Sequence, residues 1–130
     1  MFKSEIISKE KARALNPVVL AFVGDAVYTL IVREELVLAH DFKTGELNKL
    51  SANEVCAQSQ ADKIDAIFDK LTEDEVDIFK RARNAKKPTK SKSAPVAVYN
   101  KSTGFEAVIG YLYLTGQKDR INELLFFGDK

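Results

Sequence analysis

The chain has 130 residues, of which 45% are hydrophobic and 30% charged, a composition typical of one soluble globular domain with a core of its own. Its single cysteine, Cys56, excludes an internal disulfide, fits a reducing, cytoplasmic setting and is expected to be a small buried residue. The net charge of +1 identifies no partner. Charges throughout the N-terminus argue against a signal peptide, and charges within the most apolar stretch argue against a membrane span.

A long apolar helix is the central predicted element, and a short amphipathic helix over residues 4–14 is expected before it. Asn16 is a good N-cap, and Pro17 suits the first helical position because its missing N–H would have no partner there. The following residues are apolar on nearly every face of a helix until Arg33, and the helix is expected to end near Ala39. This pattern predicts a helix buried in the protein core rather than one lying on its surface.

One carboxylate interrupts this helix. Asp25 follows Gly24, although glycine inside a helix costs about 1 kcal/mol relative to alanine. An ionised carboxylate in apolar surroundings is unfavourable unless a cation lies against it. The sequence therefore predicts that Asp25 faces either a metal ion or a basic side chain.

The middle of the chain is predicted to be helical as well. A short helix is expected from Thr44, and Ser51 is expected to cap a longer helix whose apolar stripe runs to about Leu71. The four residues from Thr72 form a capping box, in which the threonine hydroxyl and the glutamate carboxylate each accept a free backbone N–H. The helix that begins there is expected to run into Arg83.

Residues 85–98 contain two of the three prolines and no long helical pattern, so they are predicted to form a mobile loop. Ser102 or Thr103 is expected to cap the next helix, which is as apolar as the central one. A last helix is predicted from about Lys118 to Phe126. Because the sequence shows no strand alternation, internal repeat or domain boundary, the fold class is predicted to be all-α, in one domain.

Positive charge is concentrated in one segment, Ile78 to Phe105, which contains no acidic residue. The whole chain has 20 basic and 19 acidic residues, so the part outside this segment holds 12 basic residues against 19 acidic ones, a net charge of −7. Such asymmetry favours a polyanionic partner, although a charge run is often only a solvated face. The basic residues of the segment are Lys80, Arg81, Arg83, Lys86, Lys87, Lys90, Lys92 and Lys101.

The central helix and the second apolar helix share one feature, a carboxylate with a glycine nearby. In the first helix these are Asp25 and Gly24, and in the second they are Glu106 and Gly110. Glycines permit close approach of helix axes, so the two helices are expected to pack with their carboxylates adjacent. Adjacent carboxylates repel unless a cation lies between them, and an all-oxygen site without histidine or cysteine suits Mg²⁺ or Mn²⁺.

Two carboxylates, a divalent ion and an adjacent basic segment together favour metal-assisted hydrolysis of a phosphodiester. On the residues alone, other functions stay open. Each carboxylate could instead pair with a lysine of the basic segment as a structural ion pair. A non-catalytic RNA-binding or ribosome-associated protein would use the basic segment without the metal, and a helical protein–protein interaction domain would use neither.

Three short motifs follow one another along the chain. They are residues 21–28 (AFVGDAVY), 81–86 (RARNAK) and 102–113 (STGFEAVIGYLY). In this order and spacing, which cover residues 16–125, they resemble the motifs of the ribonuclease III family, specifically its short Mini-ribonuclease III branch. Each motif is weak alone, and the three in order at this length are fairly specific.

The resemblance implies an all-helical endonuclease domain over residues 1–130 that forms a homodimer and cuts double-stranded RNA with Mg²⁺, or with Mn²⁺ in its place. The implied products carry 5′-phosphate and 3′-hydroxyl ends. The implied cellular task is maturation of the 23S ribosomal RNA precursor in the cytoplasm, without a membrane, and the need for a helping ribosomal protein is left open.

The resemblance also implies roles for single residues. Asp25 matches the signature aspartate and Glu106 the glutamate of the last motif, so both are implied to be catalytic metal ligands whose ion activates a water molecule. Phe22 matches the aromatic residue that packs into the partner subunit, with a place in the core as the alternative. Ala21 and Thr103 stand where larger relatives have carboxylates, so waters are expected to complete the ion's shell, and the number of ions is left open.

The double-stranded-RNA-binding domain of larger relatives is not expected in this chain, so a basic loop at about 85–101 is implied to hold the RNA phosphates. Duplex RNA is recognised mainly through phosphates and 2′-hydroxyls, and binding by a basic loop should weaken as salt rises. Asn84 is expected to contact either the RNA backbone or a metal-bound water. The implied RNA-binding residues are Arg81, Arg83, Asn84, Lys86, Lys87, Lys90, Lys92 and Lys101.

Overall fold

The structure is a computed structural model, and it describes residues 5–39, 43–87 and 94–126. This part of the chain forms seven α-helices and one short 3₁₀ helix, Phe68–Lys70, and contains no strand. The predicted all-α fold class is confirmed. The α-helices are α1 (Lys9–Ala14), α2 (Pro17–Ala39), α3 (Thr44–Val55), α4 (Ala57–Ile67), α5 (Glu73–Asn84), α6 (Val96–Leu114) and α7 (Lys118–Leu125).

Helix α6 is the centre of the fold. It packs most extensively against α2 and also against α5 and α4. Phe105, Ile109 and Leu112 of α6 are fully buried, and the Phe105 ring meets the Tyr28 ring of α2 edge to face at a centroid distance of 4.9 Å. A helix enclosed in this way must be apolar on most of its circumference, as the α6 sequence is. None of the helices in the described ranges is long and apolar enough to cross a membrane.

Two glycines set the distance between α2 and α6. A Cβ atom added to Gly24 would overlap the main-chain oxygen of Glu106, and one added to Gly110 would overlap the main-chain oxygen of Leu20. The two helices therefore touch backbone to backbone, and a larger residue at either position would force them apart. The predicted close packing of the two glycine-bearing helices is confirmed.

Helix α2 is not buried on every face, so that prediction is wrong. Leu20, Tyr28 and Val32 are buried, whereas the side chain of Phe22 is 80% exposed. The helix is apolar on a second face that no element in the described part of the chain covers. An open apolar face of this kind is typical of a surface that another protein covers. Besides Phe22, the exposed large apolar residues of α2 are Val19, Leu30, Val37 and Leu38.

The helices α2, α3, α5 and α7 begin where the sequence predicts, and the starts of α1, α4 and α6 differ from the prediction. The capping box of α5 forms as predicted, because Thr72 Oγ1 accepts from the Glu75 N–H at 3.2 Å and the Glu75 carboxylate accepts from the Thr72 N–H at 2.9 Å. Helix α1 begins only at Lys9. Ser51 caps no helix, because it is buried inside α3 and the break before α4 falls at Cys56, where the backbone is extended. Cys56 is exposed at this break, so the prediction that it is buried is wrong.

Helix α6 begins at Val96, well before the predicted caps Ser102 and Thr103. Their hydroxyl groups donate instead to the carbonyl oxygen of Tyr99 within the helix, at 2.7 and 3.0 Å. Serine and threonine can bond back to the preceding turn in this way, so they do not by themselves mark a helix start. The last part of the predicted loop is therefore helical, while its residues 88–93 lie outside the described ones.

A buried ion pair, which no local sequence pattern indicates, fastens α7 to α5. Arg120 donates to the two carboxylate oxygens of Glu75 at 2.8 and 2.9 Å and to the carbonyl oxygen of Lys70 at 2.5 Å. Burial raises the pKa of Glu75, but hydrogen bonds from Arg120 and Thr72 outweigh it and hold that pKa below its ordinary value. Glu75 is therefore ionised, and a permanent cation neutralises it.

Candidate active site

The carboxyl groups of Asp25 and Glu106 meet at the crossing of α2 and α6. They lie within hydrogen-bonding reach of each other. Backbone contact causes this adjacency, since Gly24 packs directly against the main-chain oxygen of Glu106. Asp25 is exposed to solvent and Glu106 is half-buried, so the pair lies at the protein surface with one carboxyl group inside. The predicted adjacency of the two groups is confirmed.

The two groups cannot both be fully ionised near neutral pH without a cation. Burial, followed by the hydrogen bond and the charge of Asp25, raises the pKa of Glu106 to about 9, against a smaller lowering effect of Gln60. Two carboxyl groups in contact share one proton, which a divalent cation held by both would replace. In the described ranges neither group forms an ion pair with lysine or arginine. The alternative that each carboxylate pairs with a lysine as a structural ion pair therefore finds no support among these residues.

The donor set fits one hard divalent cation. Both donors are carboxylates, whose oxygens Mg²⁺ and Mn²⁺ prefer. Across residues 5–39, 43–87 and 94–126, no cluster of three or more histidine, cysteine, aspartate or glutamate side chains could hold a metal ion. Mg²⁺ needs no such cluster, because it is usually bound by one or two carboxylates together with waters and substrate phosphates. Asp25 and Glu106 would provide that number of protein ligands.

A cavity of about 530 Å³ opens over the two carboxyl groups. Ala21 and Thr103 both line it, so the positions at which larger relatives are expected to carry carboxylates face the same space. The hydroxyl of Thr103 is already bonded to the carbonyl oxygen of Tyr99. The short side chains at these two positions leave room for waters and a phosphate group where further carboxylates are missing.

Phe22 stands in the wall of this cavity and is not a core residue. Its side chain is 80% exposed, although phenylalanine is among the residue types most often buried. It belongs to the open apolar face of α2. The core alternative for Phe22 is therefore wrong, and its exposure is that of an aromatic residue which a second chain could cover.

Among the described residues predicted to bind RNA, Lys87 is the one that lines the cavity. Its Nζ donates to the carbonyl oxygen of Arg83 at 2.7 Å, and burial lowers its pKa. Lys86 and Asn84 are exposed, and Arg83 Nε donates to Asn84 Oδ1 at 3.1 Å. Two of the predicted lysines lie outside the described residues, Lys90 and Lys92.

Two other predicted RNA-binding residues hold helices together. Arg81 donates to the carbonyl oxygen of Arg13 at 2.9 Å and so links α5 to the end of α1. Lys101 forms an ion pair with Asp65 at 3.0 Å and so links α6 to α4. Lys87 therefore shares a cavity with the carboxylate pair, whereas Arg81 and Lys101 are engaged elsewhere.

Gln60 belongs to the site although no motif marks it. It lies on the same face of α4 as the buried residues Ile64 and Ile67, and it is itself only 2% exposed. Its Nε2 donates to Glu106 Oε2 at 3.4 Å, and its side chain lines the cavity. A polar side chain on the buried face of an amphipathic helix is the sequence signal that could have identified it.

Comparisons with known proteins give the family. Residues 18–117 match the model of the Ribonuclease III domain. The chain is similar to the Mini-ribonuclease 3 of Thermoanaerobacter sp., with 42% identity over 122 residues that cover 94% of this chain and 86% of that protein. It is also similar to the Mini-ribonuclease 3 of Staphylococcus aureus, with 43% identity over 115 residues that cover 87% of this chain and 86% of that protein.

A solved structure has the same fold. The X-ray crystal structure of a protein from Fusobacterium nucleatum matches with a TM-score of 0.79 at 33% sequence identity, over 87% of this chain and 90% of that chain. Domain match, sequence identity and fold agree over most of the chain. The protein therefore belongs to the ribonuclease III family of endoribonucleases, in its short Mini-ribonuclease III branch.

Proposed function

We propose that this protein is a Mg²⁺-dependent endoribonuclease that cleaves double-stranded RNA, with residues 1–130 as a single catalytic domain. The observation that carries the proposal is the adjacent pair of Asp25 and Glu106 beneath a cavity that Lys87 also lines. Membership of the family indicates the class of reaction, which is RNA cleavage, and the two carboxylates offer a site at which it could occur. Attack by water with departure of the 3′-oxygen would leave 5′-phosphate and 3′-hydroxyl ends.

The residues of the site are proposed to have different roles. The exposed Asp25 and the half-buried Glu106 would hold the cation between them. When bound, Mg²⁺ supplies an activated water nucleophile and charge stabilisation for the departing oxygen, so no side-chain nucleophile is needed. Lys87 offsets the negative charge of the phosphate that enters the cavity and fixes its position.

The basic loop at about 85–101 and its flanking residues are proposed to hold the duplex through its phosphates. Arg81 and Lys101 should contribute less, because each already links two helices. RNA affinity should fall steeply as salt rises, since each neutralised phosphate releases a counterion. The residues proposed to contribute most are Arg83, Asn84, Lys86, Lys87, Lys90 and Lys92.

A homodimer is part of the proposal. The open apolar face of α2 would be covered by a second copy of the chain, with Phe22 inserted into the partner subunit. Because Phe22 also lines the cavity, such a dimer would place the subunit boundary beside the carboxylate pair.

Cleavage of a long RNA duplex tests the proposal, with wild-type protein in Mg²⁺, wild type in EDTA, and Asp25→Asn in Mg²⁺. Cutting is expected only for wild type in Mg²⁺, while Asp25→Asn stays folded and still binds the duplex. Glu34→Gln is the matched control, because Glu34 is an exposed carboxylate farther along α2, and this variant should cut like wild type.

Binding without cutting in every lane would favour a non-catalytic RNA-binding protein on the same scaffold. Cutting that survives Asp25→Asn would place the chemistry elsewhere in the molecule.

The proposed cellular substrate is the precursor of 23S ribosomal RNA in the cytoplasm, and its support is the family resemblance. A transcript carrying the paired ends of that precursor should be cut at defined positions by the wild type and left intact by Asp25→Asn. Parallel reactions with and without ribosomal proteins would show whether one of them assists. Random cutting of any long duplex at the same rate would argue against this substrate.

A further inference from the structure

Gln60 is the most buried polar side chain in the wall of the active-site cavity. It is 2% exposed and lies on the inner face of α4, on the same side as Ile64 and Ile67. A buried amide is unfavourable unless its polar atoms are hydrogen-bonded, and an apolar residue at this place would avoid that requirement. The presence of a glutamine here therefore indicates that its hydrogen bond to a neighbouring group has a role.

That contact is the carboxyl group of Glu106. Gln60 Nε2 donates to Glu106 Oε2 at 3.4 Å, across the interface between α4 and α6. Because the amide is carried by a packed helix, the core of the protein fixes its position. Glu106 is thus held between the amide of Gln60 and the carboxyl group of Asp25.

The nearby hydroxyl group of Thr103 does not hydrogen-bond Glu106. Thr103 lies one turn before Glu106 on α6, but its hydroxyl donates to the carbonyl oxygen of Tyr99 at 3.0 Å. In the part of the chain that the structure describes, the side chains that hydrogen-bond Glu106 are those of Gln60 and Asp25. The orientation of the Glu106 carboxylate therefore depends on Gln60 when Asp25 binds a cation.

We propose that Gln60 is a positioning residue, which holds the carboxylate of Glu106 in the orientation that binds the divalent cation. The inference rests on the proposed metal-dependent function and adds a residue to it. Hydrogen-bond partners of metal ligands fix the ligands' orientation and strengthen metal binding. An amide suits this task because it donates without adding charge, whereas a lysine would neutralise the carboxylate and another glutamate would repel it.

Gln60→Leu and Gln60→Met test the proposal, because they remove the donor and keep a side chain of similar size at a buried position. Mn²⁺ affinity, measured from the electron paramagnetic resonance signal of free Mn²⁺, should fall about 10- to 100-fold in both variants. Cleavage should fall with it and recover as Mg²⁺ is raised, while the KM for RNA at saturating Mg²⁺ stays unchanged. A merely structural role would not give recovery by added metal.

Gln58→Leu is the matched control. Gln58 is an exposed glutamine two residues earlier on α4, and its Nε2 donates to Asp62 at 2.9 Å. This variant should bind Mn²⁺ and cleave RNA like wild type. Thermal unfolding followed by circular dichroism establishes that the Gln60 variants keep the fold.

Gln60→Glu separates positioning from direct binding of the metal, and it also decides the question if neither apolar variant folds. Because a carboxylate cannot donate to Glu106, Mn²⁺ binding should weaken in this variant as well. Tighter binding would mean that the amide oxygen is itself a ligand and would overturn the positioning role. Wild-type affinity in the apolar variants would overturn it too while leaving the proposed function intact. Failure of the wild type to bind Mn²⁺ would overturn both.

Discussion

Two glutamates of this protein, the buried Glu75 and the half-buried Glu106, have pKa values shifted in opposite directions. Glu75 is ion-paired with Arg120 at 2.8 Å, and despite burial its pKa is held below its ordinary value. Glu106 contacts the carboxyl group of Asp25, and burial together with that neighbour raises its pKa to about 9. The first carboxylate has a permanent cation in the protein, whereas the second lies where an exchangeable cation can bind.

The difference fits a structural role for Glu75 and the proposed metal-binding role for Glu106. Arg120 fastens α7 to α5 through Glu75, and a fixed side-chain cation does this at any metal concentration. A site that binds and releases a metal ion needs negative charge that no lysine or arginine has neutralised. Strongly shifted pKa values beside a cavity are typical of such sites.

Glu75→Gln should have the largest effect on stability, because it leaves the guanidinium of Arg120 without its buried carboxylate. The free energy of unfolding should fall by about 3 kcal/mol, at the lower end of the loss observed when one partner of a buried ion pair is removed. Denaturation by urea measures this loss. Cleavage per folded molecule should stay unchanged, since the variant does not touch the cavity.

Glu73→Gln is the control for that variant, because Glu73 is an exposed carboxylate in the first turn of the same helix. It should lose less than about 1 kcal/mol, the usual size of a charge effect at a helix end. Equal losses in the two variants would mean that the buried pair has no special role.

Gly24→Ala should have an intermediate effect on stability and a large one on cleavage. The added Cβ would overlap the main-chain oxygen of Glu106 and force α2 and α6 apart. The free energy of unfolding should fall by about 2 kcal/mol net, because the overlap costs up to about 3 kcal/mol and the gain in helix propensity returns roughly 1 kcal/mol. Cleavage should fall by more than the loss of folded protein explains, because the two carboxyl groups separate.

Gly45→Ala is the matched control, since a Cβ added at Gly45 in α3 has no neighbouring atom within 4 Å. This variant should be neutral or more stable by up to about 1 kcal/mol, through helix propensity alone. If Gly24→Ala behaved in the same way, the backbone contact could not be what holds the carboxylate pair together.

A change of pH should act on the two glutamates in opposite directions. The folded pKa of Glu106 is raised to about 9, so its contribution to stability is fully present below the ordinary glutamate pKa and is lost as pH rises towards 9. The folded pKa of Glu75 is lowered, so its contribution is present above the ordinary value and is lost as pH falls through the folded pKa.

The free energy of unfolding, measured against pH in EDTA, should show both slopes. Glu106→Gln should remove the decline towards pH 9 and keep the decline in acid. Because the cation displaces the shared proton, Mg²⁺ affinity should rise with pH up to the Glu106 pKa of about 9. An Mg²⁺ affinity that does not depend on pH would contradict the placement of the ion between these carboxyl groups.

The sequence predicts the parts of this arrangement that depend on local signals. Asn16 and Pro17 mark the start of α2, and the capping box at Thr72 marks the start of α5. The crossing of α2 and α6 is predictable because Gly24 and Gly110 interrupt otherwise apolar helices, where glycine is unfavourable unless another backbone lies close. Both carboxyl groups of the candidate site follow from that crossing.

Interactions between distant parts of the chain are not visible in this way. Nothing around Glu75 or Arg120 in the sequence indicates that they pair across 45 positions. The polar residue Gln60 stands out in the apolar stripe of α4, but the stripe does not show that its target is Glu106. Hydropathy also cannot separate a face buried in the core from one open to a partner, which is why the exposure of Phe22 is missed.

The most direct test of the proposed metal site is the anomalous difference density of crystals soaked in Mn²⁺. A peak is expected between the carboxyl groups of Asp25 and Glu106, about 2.1 Å from an oxygen of each, and it should be lost in crystals of Asp25→Asn. A peak at another place, or none here at a Mn²⁺ concentration that supports cleavage, would contradict the assignment of this pair as the catalytic metal site.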